Sequence, residues 1–370
     1  MKKYEMLWSI LTVVMMHIAQ LVSGASKQDT VYAKNHETSG GTLSELINNA
    51  PADAVIVLEG KVYKTKQVRI PHHLTLLGQS GTKIQPLDGT IFNALIIAAH
   101  PIEIENVILD GDKRAFWGIY STSDLSVTNV TITNFYGNDK APGNGIRHLP
   151  ESDKNRLCVI NSVIENISGF NDGKVGNYIG AHRGVLTSGG NIVIQNTKFE
   201  NILGEEDADC IHIQTKDDSK DSWGSAGNAI IENCSFHNFG KRAIKIQASD
   251  VVVKNNKIRN EGNKIYSAIS IYGSRNIVDN NQIDVSNATA ALTVISGNQN
   301  RLRNNTVIVD REEGGRLSWG VAFDKASKTT LSGNTFITNG KRTPFSFSKS
   351  ITSSNRRSME RNNQVQTRKQ

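Results

Sequence analysis

The chain has 370 residues, is 6% aromatic and carries 31 glycines, a composition that weighs against a helical bundle and suits many short strands joined by turns. Its net charge is +7, but residues 1–24 contribute +1 and residues 341–370 contribute +7, so the stretch 25–340 nets −1. That distribution places the basicity in a polar tail and does not make the main body a nucleic-acid binder.

In chain order, residues 1–24 read as an export signal. Lys2 and Lys3 precede the apolar run Leu7–Val22, and small residues follow at Ser23, Gly24 and Ala25. His17 and Gln20 interrupt a run already near the short limit for a spanning helix. The expectation is therefore a secreted or periplasmic protein that meets a membrane only through this segment. Residues 42–50 have helical apolar spacing and a Thr42–Glu45 capping-box pattern, the signature of a short helix shielding the open end of a sheet. Strands then open at Val55–Leu58, Leu74–Leu77 and Ala94–Ile97.

From there a repeat takes over. Asn129, Asn161, Asn196, Asn233, Asn255, Asn280 and Asn304 each stand three residues before an apolar residue, and Gly333 occupies the same place in the last unit. Asn and Gly tolerate left-handed backbone, so one bend recurs in every unit. A second strand repeats in phase, with starts at Gly118, Gly145, Gly184, Cys210, Ala243, Ala268, Ala291 and Gly320. The shortest steps, 23 to 27 residues, hold short strands plus turns, which is too short for a propeller blade. Longer steps hold inserted loops at 169–183 and 215–227. The reading is an all-β, single-stranded right-handed parallel β-helix (a β-solenoid) over 25–340, with its N-terminal cap helix near 42–50. Residues 341–370 read as a basic polar tail without structure. Cys158, Cys210 and Cys234 are too few for a disulfide framework and read as buried small hydrophobes.

Alternation along the repeated strand gives the outward column. Ile119, Ile146, Val185, Ile211, Ile244 and Ile269 fill the interior. Tyr120, Arg147, Leu186, His212 and Lys245 point out, followed by Gln214, Gln247 and Tyr272. His182, Arg183, Lys241 and Arg242 join this face from the turns before the strands, and His148 points inward as a structural residue. So many cationic and titratable nitrogens on a near-neutral body fit an anionic sugar chain.

The helix at 42–50, the strand Ala54–Leu58 with Gly60 and Tyr63, and the Asn column resemble the pectate lyase-like superfamily over residues 40–340. That resemblance implies a right-handed parallel β-helix and a polysaccharide as substrate or ligand, by cleavage or by binding and assembly. Asp207-Ala-Asp209-Cys-Ile-His212-Ile, followed one coil later by Lys241-Arg242-Ala-Ile-Lys245-Ile, is similar to the active-site strands of the polygalacturonase type. That type carries a Gly-His-Gly and an Arg-Ile-Lys; here the former is missing and Arg242 and Lys245 are three apart.

Three functions follow as expectations. In a lyase acting on uronate chains, Lys245 or His212 is the base, Arg147, Arg183 and Arg242 hold carboxylates, and His182, Lys241, Tyr120, Gln214, Gln247 and Tyr272 complete the substrate-binding face. In a hydrolase, Asp207 and Asp209 are the paired carboxylates. In a non-catalytic protein the same face binds or helps assemble exopolysaccharide. The sequence requires no cofactor and assigns no metal ligand. Ca²⁺ would find its acidic loop at Asp217, Asp218 and Asp221, without EF-hand spacing. The expected partner is an anionic polysaccharide, not nucleic acid.

Overall fold

A computed structural model describes residues 29–33, 42–59, 62–171, 178–214, 225–262, 264–285, 288–309, 319–325, 328–338 and 344–367. Residues 1–24, read above as an export signal, Gly60 and the Asp217–Asp221 loop lie outside them.

The chain winds through three long sheets in turn. The first runs from Thr30–Ala33 to Thr330–Ser332, the second from Val62–Thr65 to Gln364–Thr367, and the third from Val68–Ile70 to Phe345–Ser346. One coil serves as an example: Ser249–Lys254 lies in the first sheet, Lys257–Asn260 in the second and Ile265–Ile271 in the third. Each strand pairs in parallel with its counterpart one coil away, as Asp209↔Arg242 and His212↔Lys245 illustrate. This is the right-handed parallel β-helix read from the repeat.

The turns explain the winding. Asn129, Asn161, Asn196, Asn233, Asn255, Asn280 and Asn304 all have φ between 50° and 58°, and Gly333 has φ 67°. Parts of this column bond along the axis, as from Asn196 Nδ2 to Asn161 Oδ1 at 3.1 Å and from Asn280 Nδ2 to Asn255 Oδ1 at 2.8 Å. One residue further on, Asn256, Asn281, Asn305 and Asn334 form a second, buried ladder. The Asn-Asn pairs in the sequence carried its signal, but periodicity exposes only that a position recurs, not which member of a pair turns inward.

The expected interior column is fully buried, and Phe199 and Phe236 stack inside it with centroids 5.0 Å apart. The N-terminal helix forms at Thr42–Asn49 and buries Leu43 and Ile47. Beside it, Ser44 Oγ lies 3.1 Å from Thr65 Oγ1 at the first coil.

The C-terminal expectation needs correction. Of the tail, residues 344–367 are folded: Phe345–Ser346 extends the third sheet, Ser353–Arg361 is a helix capped by Thr352, and Gln364–Thr367 pairs with Thr335–Thr338. Its few apolar residues do the anchoring, with Phe345, Ile351 and Met359 buried. A composition average hides three apolar residues among many polar ones. Asn363 also accepts from Asn334 and so ends the buried ladder.

Candidate functional site

The third sheet positions the site through a break in strand alternation. In each repeat two consecutive residues face inward: Cys210 and Ile211, Ala243 and Ile244, Ala268 and Ile269 are all fully buried within the core cluster. The first of each pair must be small. A Cβ on Gly184 would come within 2.5 Å of the Cys210 carbonyl oxygen and 3.0 Å of the Phe199 ring. The residues flanking each pair, three apart in sequence, therefore share the outer face. Asp209 and His212 lie on either side of one pair, and Arg242 and Lys245 on either side of the next. Simple alternation counts Asp209 and Arg242 with the interior; the doubled inward residue brings them out beside His212 and Lys245.

Asp207, at φ 43° in the preceding turn, is the hub. Its Oδ1 accepts from Arg242 at 2.8 Å and its Oδ2 from Lys245 Nζ at 2.7 Å. Arg183 stands 3.9 Å from Oδ2 and Lys241 3.7 Å from Oδ1. Burial would raise its pKa, but Lys245 and Arg242 outweigh burial and hold the carboxyl far below the usual range. Asp209 behaves oppositely. It is fully buried, and burial raises its pKa although Oδ1 accepts from Arg242 at 3.1 Å. Its Oδ2 has no hydrogen-bond partner among the described residues, with His212 Nδ1 at 4.0 Å.

His212 is almost wholly buried and fully engaged. Its Nδ1 accepts from Arg183 Nε at 3.0 Å, which leaves Nε2–H to donate to Gln247 Oε1 at 2.6 Å. Burial, then Lys245 and Arg183, depress its pKa well below the ordinary value. A neutral imidazole with its lone pair occupied is no base, so of the two expected bases only Lys245 retains that capacity. Lys245 is 7% exposed at its side chain, and burial lowers its pKa. Arg242 completes the cluster, with Nε donating to Ser270 Oγ at 3.2 Å and its guanidinium 4.9 Å from the Tyr266 ring centre. Its pKa is raised: burial works against the charge, but Asp209, Tyr272 and Asp207 prevail.

Other expected residues take different places. Tyr272 lies beside Lys245, its ring centre 6.0 Å from Nζ, and Gln214 is in register with Gln247. Lys241 faces the cluster's rim, bonded to Glu206 at 2.6 Å. Arg147 and Tyr120 stand two and three coils from His212 on the same outer column. His182 is not on this face. It is buried beneath the turn, where Nδ1 accepts from the Gly143 N–H at 2.9 Å, because strand parity does not apply in the turn before Arg183. Glu206 and Tyr266 were not legible: Glu206 lies in the turn before Asp207, and Tyr266 stands in its strand ahead of the repeated stretch that begins at Ala268. Among the described residues no three His, Cys, Asp or Glu side chains converge to hold a metal ion. The three cysteines are buried and unpaired with one another.

Two structural histidines predict a pH effect. His148 bonds Thr187 Oγ1 and the Ser123 carbonyl, and burial lowers its pKa to about 4, as it does for His182. Between pH 6.5 and 4 the unfolded chain takes up protons that the folded chain refuses. Stability is therefore complete above pH 6.5 and falls as pH drops toward 4, by up to about 3 kcal/mol for each histidine. Denaturant unfolding at pH 7 and pH 5 should show the lower midpoint at pH 5, and equal midpoints would refute the assignment.

Residues 183–366 match the family model described as the right handed beta helix region, which spans this cluster and the folded C-terminus. No curated protein matches the sequence. Among solved structures the chain is similar to a PL6 family alginate lyase, AlyGC, at 14% identity and TM-score 0.49, covering 86% of this chain and 53% of that one. It is also similar to the Family 28 exopolygalacturonase of Yersinia enterocolitica (14% identity, TM-score 0.48, 93% and 79% covered). A third likeness is to the A-module of the mannuronan C-5 epimerase AlgE4 of Azotobacter vinelandii (13% identity, TM-score 0.43, 79% and 93% covered). The chain spans about half the length of the alginate lyase. None of these likenesses identifies a reaction.

Proposed function

We propose that this chain, a right-handed parallel β-helix, takes an acidic polysaccharide across the outer face of its third sheet and cleaves it by β-elimination at the Asp207–Lys245 cluster. One observation carries the reading. Three cations, Arg183, Arg242 and Lys245, surround two carboxylates, Asp207 and Asp209, and all but Asp207 are nearly or wholly buried. With Lys245 protonated and both carboxylates ionised, the group carries one positive charge in excess, and Arg183 and Arg242 stay charged whatever the state of Lys245. An excess charge held away from water is costly, and a substrate carboxylate arriving there relieves it.

The same arrangement suits the chemistry. Elimination needs a cation to neutralise the uronate carboxylate and a base to take the proton from the adjacent carbon. Arg183 and Arg242 stay charged and supply the first. Lys245, with its depressed pKa, supplies the second in its neutral form. The electron pair left by that proton forms the carbon–carbon double bond as the glycosidic C–O bond breaks, and the leaving oxygen takes a proton from water or from the Lys245 ammonium. The export segment read at residues 1–24 supports delivery out of the cytoplasm, where such polymers are met.

A second reading, hydrolysis, is favoured by the opposite displacement of the Asp207 and Asp209 pKa values, the pattern of an acid–base pair. Against it, Asp209 is 0% exposed and offers no oxygen to a sugar.

Carboxylate dependence is the discriminating property. Alginate and polygalacturonate should be bound and shortened, and their carboxyl-reduced neutral forms should be neither. Equal action on the neutral forms would refute the reading.

A further inference from the structure

Three coils before Asp209 the outer face of the third sheet changes character. Trp117 shares the column of Asp209 through Asn144 and Arg183, and Tyr120 shares the column of His212 through Arg147 and Leu186. Both rings are half-buried. Trp117 is fixed by its indole N–H, which donates to the Pro142 carbonyl at 3.0 Å. Tyr120 leans on it at 5.6 Å and 39°, and the Arg147 guanidinium lies 4.9 Å from its ring centre. The result is a rigid aromatic floor with a cation stacked over the Trp117 ring, continuous with the cluster but about 14 Å away at one coil per ~4.8 Å.

An aromatic face accepts the C–H face of a pyranose, and a guanidinium pairs a carboxylate in bidentate fashion. The floor is held by its own contacts, so little ordering remains to be done when a ligand arrives. We propose that Trp117, Tyr120 and Arg147 form a distal binding site for one acidic pyranose of the chain cleaved at Lys245. A sugar in an extended polymer advances by about one coil rise, so the two sites are bridged only by a chain several residues long. The protein thereby prefers long polyuronate chains over short oligomers. This inference rests on the reading of the Lys245 cluster as the cleavage site, and it adds a determinant of chain length that the cluster alone does not contain.

The test compares wild type with Trp117→Ala and Trp117→Phe on oligouronates of increasing length prepared from alginate and polygalacturonate. The loss caused by Trp117→Ala should grow with length, from small on trimers to tenfold or more in KM on hexamers, and Trp117→Phe should recover most of it. A loss equal at all lengths, or no loss, would overturn the proposal while leaving the cleavage reading intact. Electrophoretic retardation in gels containing the same polymers reads the site without cleavage: Trp117→Ala should migrate faster than wild type, and equal migration would count against the site. Wild type that neither cleaves nor is retarded would overturn the parent reading and the distal site with it.

Discussion

Replacing Lys245 by Arg should lower the elimination rate by about 10²- to 10⁴-fold, the usual contribution of a positioned general base, while leaving the protein folded. The substitution is chosen because it separates charge from proton transfer. Arg keeps a cation opposite Asp207, where Lys245 Nζ now donates at 2.7 Å, so the carboxylate is not left unpaired in a nearly buried place. A guanidinium, however, does not give up its proton in a protein, so it cannot act as a base. The measurement is the initial rate of ultraviolet absorbance on polyuronate, with thermal unfolding recorded on the same samples. Retention of the rate in Lys245→Arg would mean that Lys245 serves only as a charge. Loss of rate together with collapse of the melting transition would mean that Arg does not fit, and Lys245→Gln, smaller and neutral, then decides by the same two readouts.

The largest effect on stability is expected in the buried asparagine ladder. Asn281 is 1% exposed, and its Oδ1 accepts from both the backbone N–H and the side-chain amide of Asn256, at 3.0 and 2.9 Å. Its own amide donates to the carbonyls of Val253 and Asp279 and to Asn305 Oδ1. Asn281→Ala leaves the Asn256 N–H buried without an acceptor and opens a small cavity, for a loss of about 3 kcal/mol in denaturant unfolding. The neighbouring Asn280 is exposed and bent at φ 53°, a geometry glycine takes freely, so Asn280→Gly should cost under about 1 kcal/mol. Equal losses at the two positions would contradict the division into an outer ladder that shapes the turn and an inner one that satisfies buried polar groups.

The fold was legible because its physics repeats. A turn that demands left-handed backbone recurs with Asn or Gly at each coil, and an interior strand recurs with Ile or Val, so each unit corroborates the next. The site was legible only in part. Asp207, Asp209, His212, Arg242 and Lys245 were named from their type and position, and the structure brings them into contact. Which of them meets solvent was not readable, since the doubled inward pair, as at Cys210 and Ile211, breaks the alternation on which facing is judged. His212 shows the consequence: its outward position suggests a base, yet Arg183 and Gln247 occupy both ring nitrogens. The folded C-terminal segment was missed because its buried apolar residues, Phe345, Ile351 and Met359, are spread through a strongly basic stretch.

The most direct test of the central claim, elimination at an acidic sugar, is to follow absorbance near the ultraviolet edge and reducing ends together as the protein acts on alginate and polygalacturonate. Each chain break should create one reducing end and one unsaturated sugar, so the two signals should rise in fixed proportion. Reducing ends appearing without absorbance would contradict elimination and transfer the chemistry to Asp207 and Asp209, and the absence of both signals would contradict cleavage of these polymers and favour the binding or assembly reading.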